Sequence, residues 1–236
     1  RKERWACIVA HRRYGKTVGV VNDLIRTCLT SQKESTRCAY IAPFYSQAKA
    51  IAWDYAKFYS SVVPGIRVNE SELRIDYPTG ARLRLFGADN YDAMRGLYFD
   101  DAALDEPADF PPNAWPTVIR PALADRQGRA TFMGTPKGKN EFWEVYDHAK
   151  DDPDWFSMVL KASQTGILPD GELIEAKRAM GDDRYEQEFE CSFEAAILGA
   201  YYGKEMRAAD DDNRLTVVPY EPSLPVYTAW DLGIGD

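Results

Sequence analysis

Ala10-His11-Arg12-Arg13-Tyr14-Gly15-Lys16-Thr17 brings a lysine, a hydroxyl and a glycine turn together at the spacing that suits a triphosphate. An apolar run, Trp5-Ala6-Cys7-Ile8-Val9, precedes it, and Val18, Val21, Leu24, Ile25 and Leu29 follow at helical spacing. The segment therefore reads as strand, tight loop and helix. Free amides at the helix start would face phosphate oxygens, and the helix dipole favours negative charge there. Lys16 would neutralise the β- and γ-phosphates of ATP, and Thr17 would offer its hydroxyl to Mg2+. His11, Arg12, Arg13, Tyr14 and Gly15 complete the expected nucleotide loop. Its first position is Ala10 rather than glycine, so the pattern is degenerate; the competing reading is a structural turn.

Hydrolysis also needs an acid to organise the metal and a group to place water. Ala102-Ala103-Leu104-Asp105-Glu106 is an apolar strand closed by two carboxylates. Asp105 would hold Mg2+, through water, and Glu106 would orient or deprotonate the attacking water. Alone, the pair reads equally as a helix-start acid pair before Pro107. A third strand end, Ala130-Thr131-Phe132-Met133-Gly134-Thr135-Pro136, is expected beside the γ-phosphate, where Thr135 would sense its loss. The alternative is an ordinary Gly-Thr-Pro turn.

To bring these segments together the chain must form a sheet. Apolar runs at Ala6–Ala10, Cys38–Ala42, Ala102–Leu104 and Ala130–Met133 alternate with helical patterns, which predicts an α/β fold with a mostly parallel central sheet flanked by helices. The added strand Cys38–Ala42 between the two motifs, with glutamate directly after the aspartate, points to the additional-strand, catalytic-glutamate branch of P-loop NTPases. Leu73–Tyr77, Pro78-Thr79-Gly80 and Ala81–Phe86 predict an antiparallel hairpin at a sheet edge. Ser46–Ser60 is helical by period, with Ala48, Ile51, Ala52, Tyr55 and Phe58 or Tyr59 on one face expected to be core rather than a base-stacking platform. Asn113–Ala124 and Asn140–Lys150 predict further helices. Glu172–Met180 and Arg184–Glu190 predict a small helical subdomain.

The chain of 236 residues is 45% hydrophobic and 28% charged, a soluble globular composition. No apolar run approaches the roughly 18 residues of a membrane helix. Cys7, Cys28, Cys38 and Cys191 are scattered without a C-x-x-C pair, which argues for packed thiols over a zinc site or disulfide framework. The net charge of −8 divides unevenly: residues 1–100 hold 16 Lys+Arg against 10 Asp+Glu, a net of +6, and the remainder nets −14. The first part could grip phosphates locally; alternatively Arg82 and Arg84, alternating on a strand, are a solvated face. The chain starts at Arg1 and enters apolar sequence at once, so it is expected to be a piece of a longer protein.

With these motifs in order, the chain resembles the ATPase part of the large terminase subunit of tailed bacteriophages. The resemblance rests on His11 through Thr17, Ala42-Pro43-Phe44-Tyr45-Ser46-Gln47-Ala48, Met94-Arg95-Gly96, Leu104-Asp105-Glu106, Met133-Gly134-Thr135-Pro136 and Tyr185-Glu186-Gln187-Glu188-Phe189-Glu190-Cys191. It implies an ATP-driven motor that moves double-stranded DNA into a procapsid, as a homo-oligomeric ring on the portal protein and with the small terminase subunit. Such a motor would work in the cytoplasm of the infected bacterium, away from membranes. It implies that Arg95 acts as an arginine finger on a neighbouring subunit's ATP, where a guanidinium suits the developing phosphoryl charge. A surface ion pair or a DNA phosphate contact are the other readings of Arg95. Gly134, Thr135 and Pro136 would be the coupling motif. Tyr227 through Gly233 resembles the first strand of the family's ribonuclease H-like nuclease, with Asp231 as one metal ligand; its partners are absent, so this chain should not cut DNA.

The resulting expectation is an ATPase core over 1–150, a helical lid over 151–218, a linker over 219–225 and the start of a nuclease domain over 226–236. A helicase or AAA-type remodelling ATPase shares the nucleotide chemistry. A non-catalytic nucleotide- or DNA-binding module is the rival of another class.

Overall fold

The structure, a computed structural model, describes residues 2–194 and 202–216, together with 222, 223, 225 and 227. The chain divides into two compact units, Arg1–Ala195 and Ala196–Asp236. In the second unit the described residues form one helix, Gly203–Asp211. The strand expected at Tyr227 through Gly233 falls almost wholly outside the described residues, as do most of the linker and Asp231. No helix among the described residues is long and apolar enough to cross a membrane.

The first unit is built on one eight-stranded sheet. In chain order its elements are β1 (Trp5–Ala10), α1 (Lys16–Thr30), β2 (Arg37–Ala42), α2 (Tyr45–Gln47), α3 (Asp54–Ser60), β3 (Arg67–Asn69), β4 (Arg74–Asp76), β5 (Arg82–Gly87), β6 (Asp101–Asp105), α4 (Arg120–Ala122), β7 (Arg129–Gly134), α5 (Glu141–Asp151), β8 (Trp155–Leu160), α6 (Ala162–Thr165), α7 (Asp170–Met180) and α8 (Asp182–Glu188). The strand order is β3-β4-β5-β2-β6-β7-β1-β8; β4 pairs antiparallel with both β3 and β5, and every other neighbouring pair is parallel. The strand that separates β1 from β6 in space is β7, while the Cys38–Ala42 segment lies on the far side of β6. The predicted hairpin forms, Ile75 facing Leu83, but β3 takes the outermost place. β8 also joins the sheet beside β1, inside the stretch expected to form the lid.

Alternation along the strands gives the sheet two apolar faces. One packs Val9, Ile41, Leu104 and Phe132 against Phe142 of α5 and against Val118, Ile119 and Leu123. The other packs Tyr40, Leu83, Leu85 and Met133 beneath Val21, Leu24 and Ile25 of α1. Asn140 starts α5 by accepting from the amides of Phe142 (3.1 Å) and Trp143 (3.3 Å), which satisfies two of the helix's unpaired donors. A smaller cluster of Ala162, Tyr185 and Phe189 ties α6 to α8, with Leu173 of α7 against it.

The helical stretch 45–60 departs from its predicted face. Its middle, Ala48–Trp53, is a π-helix, so one extra residue enters the turn and the pattern slips in phase. Ala48, Ala52 and Ala56 lie against the sheet, where their small side chains admit a close approach, with Trp53 and Ser60 buried beside them. Ile51 (47% exposed), Tyr55 (42%) and Phe58 (67%) face outward. Helix 113–124 is likewise a π-turn, Trp115–Ile119, running into α4.

Candidate functional site

Register brings the three strand ends to one rim. Val9 pairs with Gly134 across β1 and β7, and Asp105 pairs with Met133 across β6 and β7. The residues that follow, Ala10-His11, Thr135 and Glu106, therefore emerge side by side at the carboxyl end of the sheet, where open α/β sheets bind ligands.

The loop after β1 reaches α1 through Arg13 and Gly15, at φ 66° and 95°. For Gly15 this left-handed geometry is free of steric cost, whereas Arg13 is held there by its surroundings. The His11 ring is completely buried and turned away from the rim. Its Nδ1 lies 2.6 Å from the Arg12 carbonyl oxygen, which only accepts, so Nδ1 carries the proton. Nε2 then accepts from the Thr165 hydroxyl at 2.9 Å. Burial pushes the His11 pKa down, reinforced by nearby Lys16 and opposed by the Arg12 carbonyl and Glu190. Arg12 is anchored on Glu188 of α8, through its amide to the carbonyl (3.0 Å) and its Nε to the carboxylate (2.6 Å).

Lys16 extends its ammonium into the rim, donating to the Ala10 carbonyl (2.8 Å) and the Thr135 hydroxyl (3.3 Å), with Glu106 Oε1 3.9 Å away. Glu106 has φ 51°, a strained conformation for a non-glycine residue at a strand end. Its carboxylate accepts from the Thr135 amide and hydroxyl, each at 3.2 Å. Asp105, one residue earlier, points to the α1 side, where the buried Tyr40 hydroxyl donates to it; the same hydroxyl meets the Thr17 side chain. Burial raises the Asp105 pKa to about 6, with Tyr40's hydrogen bond and Lys16 pulling against it and Glu106 adding to it.

These groups open into a cleft of about 600 Å3, walled by Arg12 through Val18, Asp105, Glu106, Thr135 and Glu188. Gln47, Ile51 and Tyr55, from the outward face of the 45–60 helix, form another wall. Sequence reasoning missed Tyr40, because a tyrosine inside a buried strand reads as core. It missed the Tyr55 wall because the π-turn shifts the phase, so that Trp53 and Ala56 turn inward and Tyr55 outward. Among the described residues no group of three His, Cys, Asp or Glu side chains could cage a metal. One carboxylate and one hydroxyl, Asp105 and Thr17, fit the other mode, in which Mg2+ keeps waters and takes its remaining ligands from phosphates.

Of the other expected site residues, Gly134 lies against Phe142 and Glu106, so that a Cβ there would meet Phe142 Cε1 at 3.1 Å and Glu106 Oε2 at 3.3 Å. Pro136 is buried just beyond Thr135. Arg95 is not a wall of the cleft; it stands exposed and paired with Asp92 at 2.6 Å. Asp231 lies outside the described residues.

No protein-family model matches the chain. It is 28% identical over 159 residues to the large terminase subunit of Escherichia phage T5, matching 65% of this chain and 36% of that protein. It is 33% identical over 125 residues to the large terminase subunit of Thermus phage G20c, matching 45% of this chain and 26% of that protein. The chain thus spans a minor part of these curated relatives. Among solved structures, the ATPase domain of the Thermus phage P74-26 large terminase superposes with a TM-score of 0.71 at 22% identity, covering 82% of this chain and 90% of that one. The large terminase of a thermophilic bacteriophage, solved in complex with ATP-gamma-S, superposes at 0.66 and 13% identity, covering 81% of this chain and 48% of that one. The chain is thus similar in sequence to part of the large subunits of phage terminases, and its eight-stranded, mostly parallel sheet has the fold of a large-terminase ATPase domain.

Proposed function

We propose that this chain is the ATP-hydrolysing motor part of a phage DNA-packaging terminase, driving double-stranded DNA through a portal into a procapsid. The observation that carries the reading is the contact of Lys16, Thr135 and Glu106 at one rim, with Asp105 and Thr17 joined through Tyr40 beside them.

Lys16 holds its ammonium on a backbone carbonyl and on Thr135, both weaker partners than a phosphate oxygen, so it is poised to transfer to the β- and γ-phosphates. Arg13, exposed at the loop, adds a second cation at the cleft mouth. Thr17 and Asp105 would hold Mg2+, which when bound neutralises phosphate charge and fixes the triphosphate geometry. Glu106 orients the water that attacks the γ-phosphate and takes its proton. Thr135 touches both Lys16 and Glu106, so departure of the γ-phosphate changes its hydrogen bonds, which suits Gly134-Thr135-Pro136 to couple hydrolysis to movement. The ATP-gamma-S complex of a protein with this fold supports a nucleotide ligand.

Arg95, exposed after Met94 and held, among the described residues, only by its neighbour Asp92, would serve a neighbouring subunit in a ring, with the portal and the small terminase subunit as further partners. Asp231 would be one metal ligand of a nuclease site. The test is Lys16→Ala with a fluorescent ATP analogue. Loss of Mg-dependent binding by about tenfold or more is expected, and undiminished binding would refute the site.

A further inference from the structure

A second constellation lies away from the nucleotide cleft. Leu83 and Leu85 of β5 pack on the α1 side of the sheet, so Arg82 and Arg84 point to the opposite face. There, with Arg37 of β2 and the Gly96–Phe99 segment, they line a notch of about 150 Å3, space for several waters at roughly 30 Å3 each and enough for one tetrahedral oxyanion. None of its walls is an Asp or Glu.

The three guanidinium groups differ in how they are satisfied. Arg37 donates to the carbonyls of Ser35 (2.9 Å), Thr36 (3.1 Å) and Gly80 (3.1 Å). Arg82 donates to Asp76 at 2.7 Å. Arg84 has neither a hydrogen bond nor an ion pair among the described residues. Its Nε is buried without an acceptor, and its guanidinium rests 5.0 Å from the centre of the Phe86 ring. The β4–β5 register also sets Arg84 directly opposite Arg74, whose charge is already taken by Glu72 and Asp76. A buried donor without a partner is unfavourable, and an anion in the notch would give the Arg84 fork an acceptor.

We infer that this notch binds a phosphate-class oxyanion, with Arg84 as its main ligand and Arg37 and Arg82 contributing field. Arginine suits the role because its planar fork presents two parallel donors to phosphate oxygens. The phosphate comes either from a nucleic-acid backbone crossing this face or from a free oxyanion. An occupied notch would touch Gly96, next to Arg95. The inference stands apart from the ATP chemistry, since none of the notch residues lines the cleft.

The test compares the purified protein with Arg84→Met, which keeps an apolar stem over Phe86, and with Arg178→Gln, an exposed arginine on α7, as the charge control. All are assayed without nucleotide. Duplex DNA binding is read by anisotropy across a salt series, and inorganic phosphate binding by the rise in melting temperature. A phosphodiester source predicts that Arg84→Met weakens duplex binding about five- to tenfold and lowers the salt slope by about one, while Arg178→Gln does neither. A free-oxyanion source predicts that phosphate stabilises wild type but not Arg84→Met, with duplex binding unchanged. If Arg84→Met does not fold, Arg84→Lys serves, since it keeps charge and loses the fork. If neither ligand distinguishes the Arg84 variant from wild type, the inference is overturned. Loss of ATP binding in Lys16→Ala has no bearing on these outcomes.

Discussion

Thr135 grips Glu106 twice, its amide and its hydroxyl each 3.2 Å from a carboxylate oxygen, while the same hydroxyl accepts from Lys16 at 3.3 Å. One side chain thus joins the lysine proposed to bind phosphate to the glutamate proposed to orient water.

Thr135→Val keeps the shape and the amide bond but removes the hydroxyl. Glu106 would then be held by one hydrogen bond rather than two. We expect kcat for ATP hydrolysis to fall about ten- to a hundredfold, or about 1.4–2.7 kcal/mol in barrier, with KM for ATP nearly unchanged. Steady-state kinetics check this; a raised KM with unchanged kcat would mean that Thr135 only binds nucleotide.

Tyr40→Phe deprives the buried Asp105 carboxylate of its hydroxyl donor and breaks the link to Thr17. An orphaned buried acceptor costs about 1–3 kcal/mol. Urea denaturation should show that loss, and titration with Mg2+ should show a higher metal requirement for hydrolysis. Unchanged values in both assays would mean that Tyr40 is core packing alone.

Gly134→Ala places a methyl against the Phe142 ring and the Glu106 carboxylate, at 3.1 and 3.3 Å. The ring is fixed in the core, so the strand end must shift. A stability loss of about 1–3 kcal/mol is expected from the overpacking, with a larger proportional loss of hydrolysis. Thermal unfolding and phosphate release measure the two effects separately.

His11 gives a pH signature. Burial lowers its folded pKa below the ordinary value of 6.5, so the folded state resists the proton that the unfolded chain accepts. Its contribution is complete above about pH 6.5 and is lost as pH falls toward the folded value. Asp105 works in the opposite sense, because a carboxyl raised to about 6 from 3.8 destabilises the fold as pH rises through that interval. The difference between wild type and His11→Asn isolates the histidine. Wild type should lose stability faster than the variant as pH drops from about 7 to 5.5, and parallel curves would count against a buried neutral ring.

The strands that carry the site were legible because each apolar run leads into chemically distinctive residues: β1 through its loop to Lys16-Thr17, β6 to Asp105-Glu106 and β7 to Gly134-Thr135. Their convergence follows from parallel pairing, which periodicity implies without fixing strand order. That is why β7, and not the Cys38–Ala42 segment, proves to be the strand between β1 and β6. β8 escaped because Trp155–Leu160 is an edge strand with mixed exposure, lacking the uniform apolar run of its neighbours. The face of the 45–60 helix was misread because a single π-turn shifts the phase without any mark in composition. Tyr40 was silent for another reason: its partner Asp105 lies 65 residues away, and only the fold joins them.

Glu106→Gln tests the central claim most directly. The amide keeps the shape and the contact with the Thr135 hydroxyl but cannot accept a proton from water. Under single-turnover conditions with Mg-ATP, the account predicts phosphate release slowed by at least about a hundredfold with nucleotide affinity preserved. Phosphate release at the wild-type rate would contradict it.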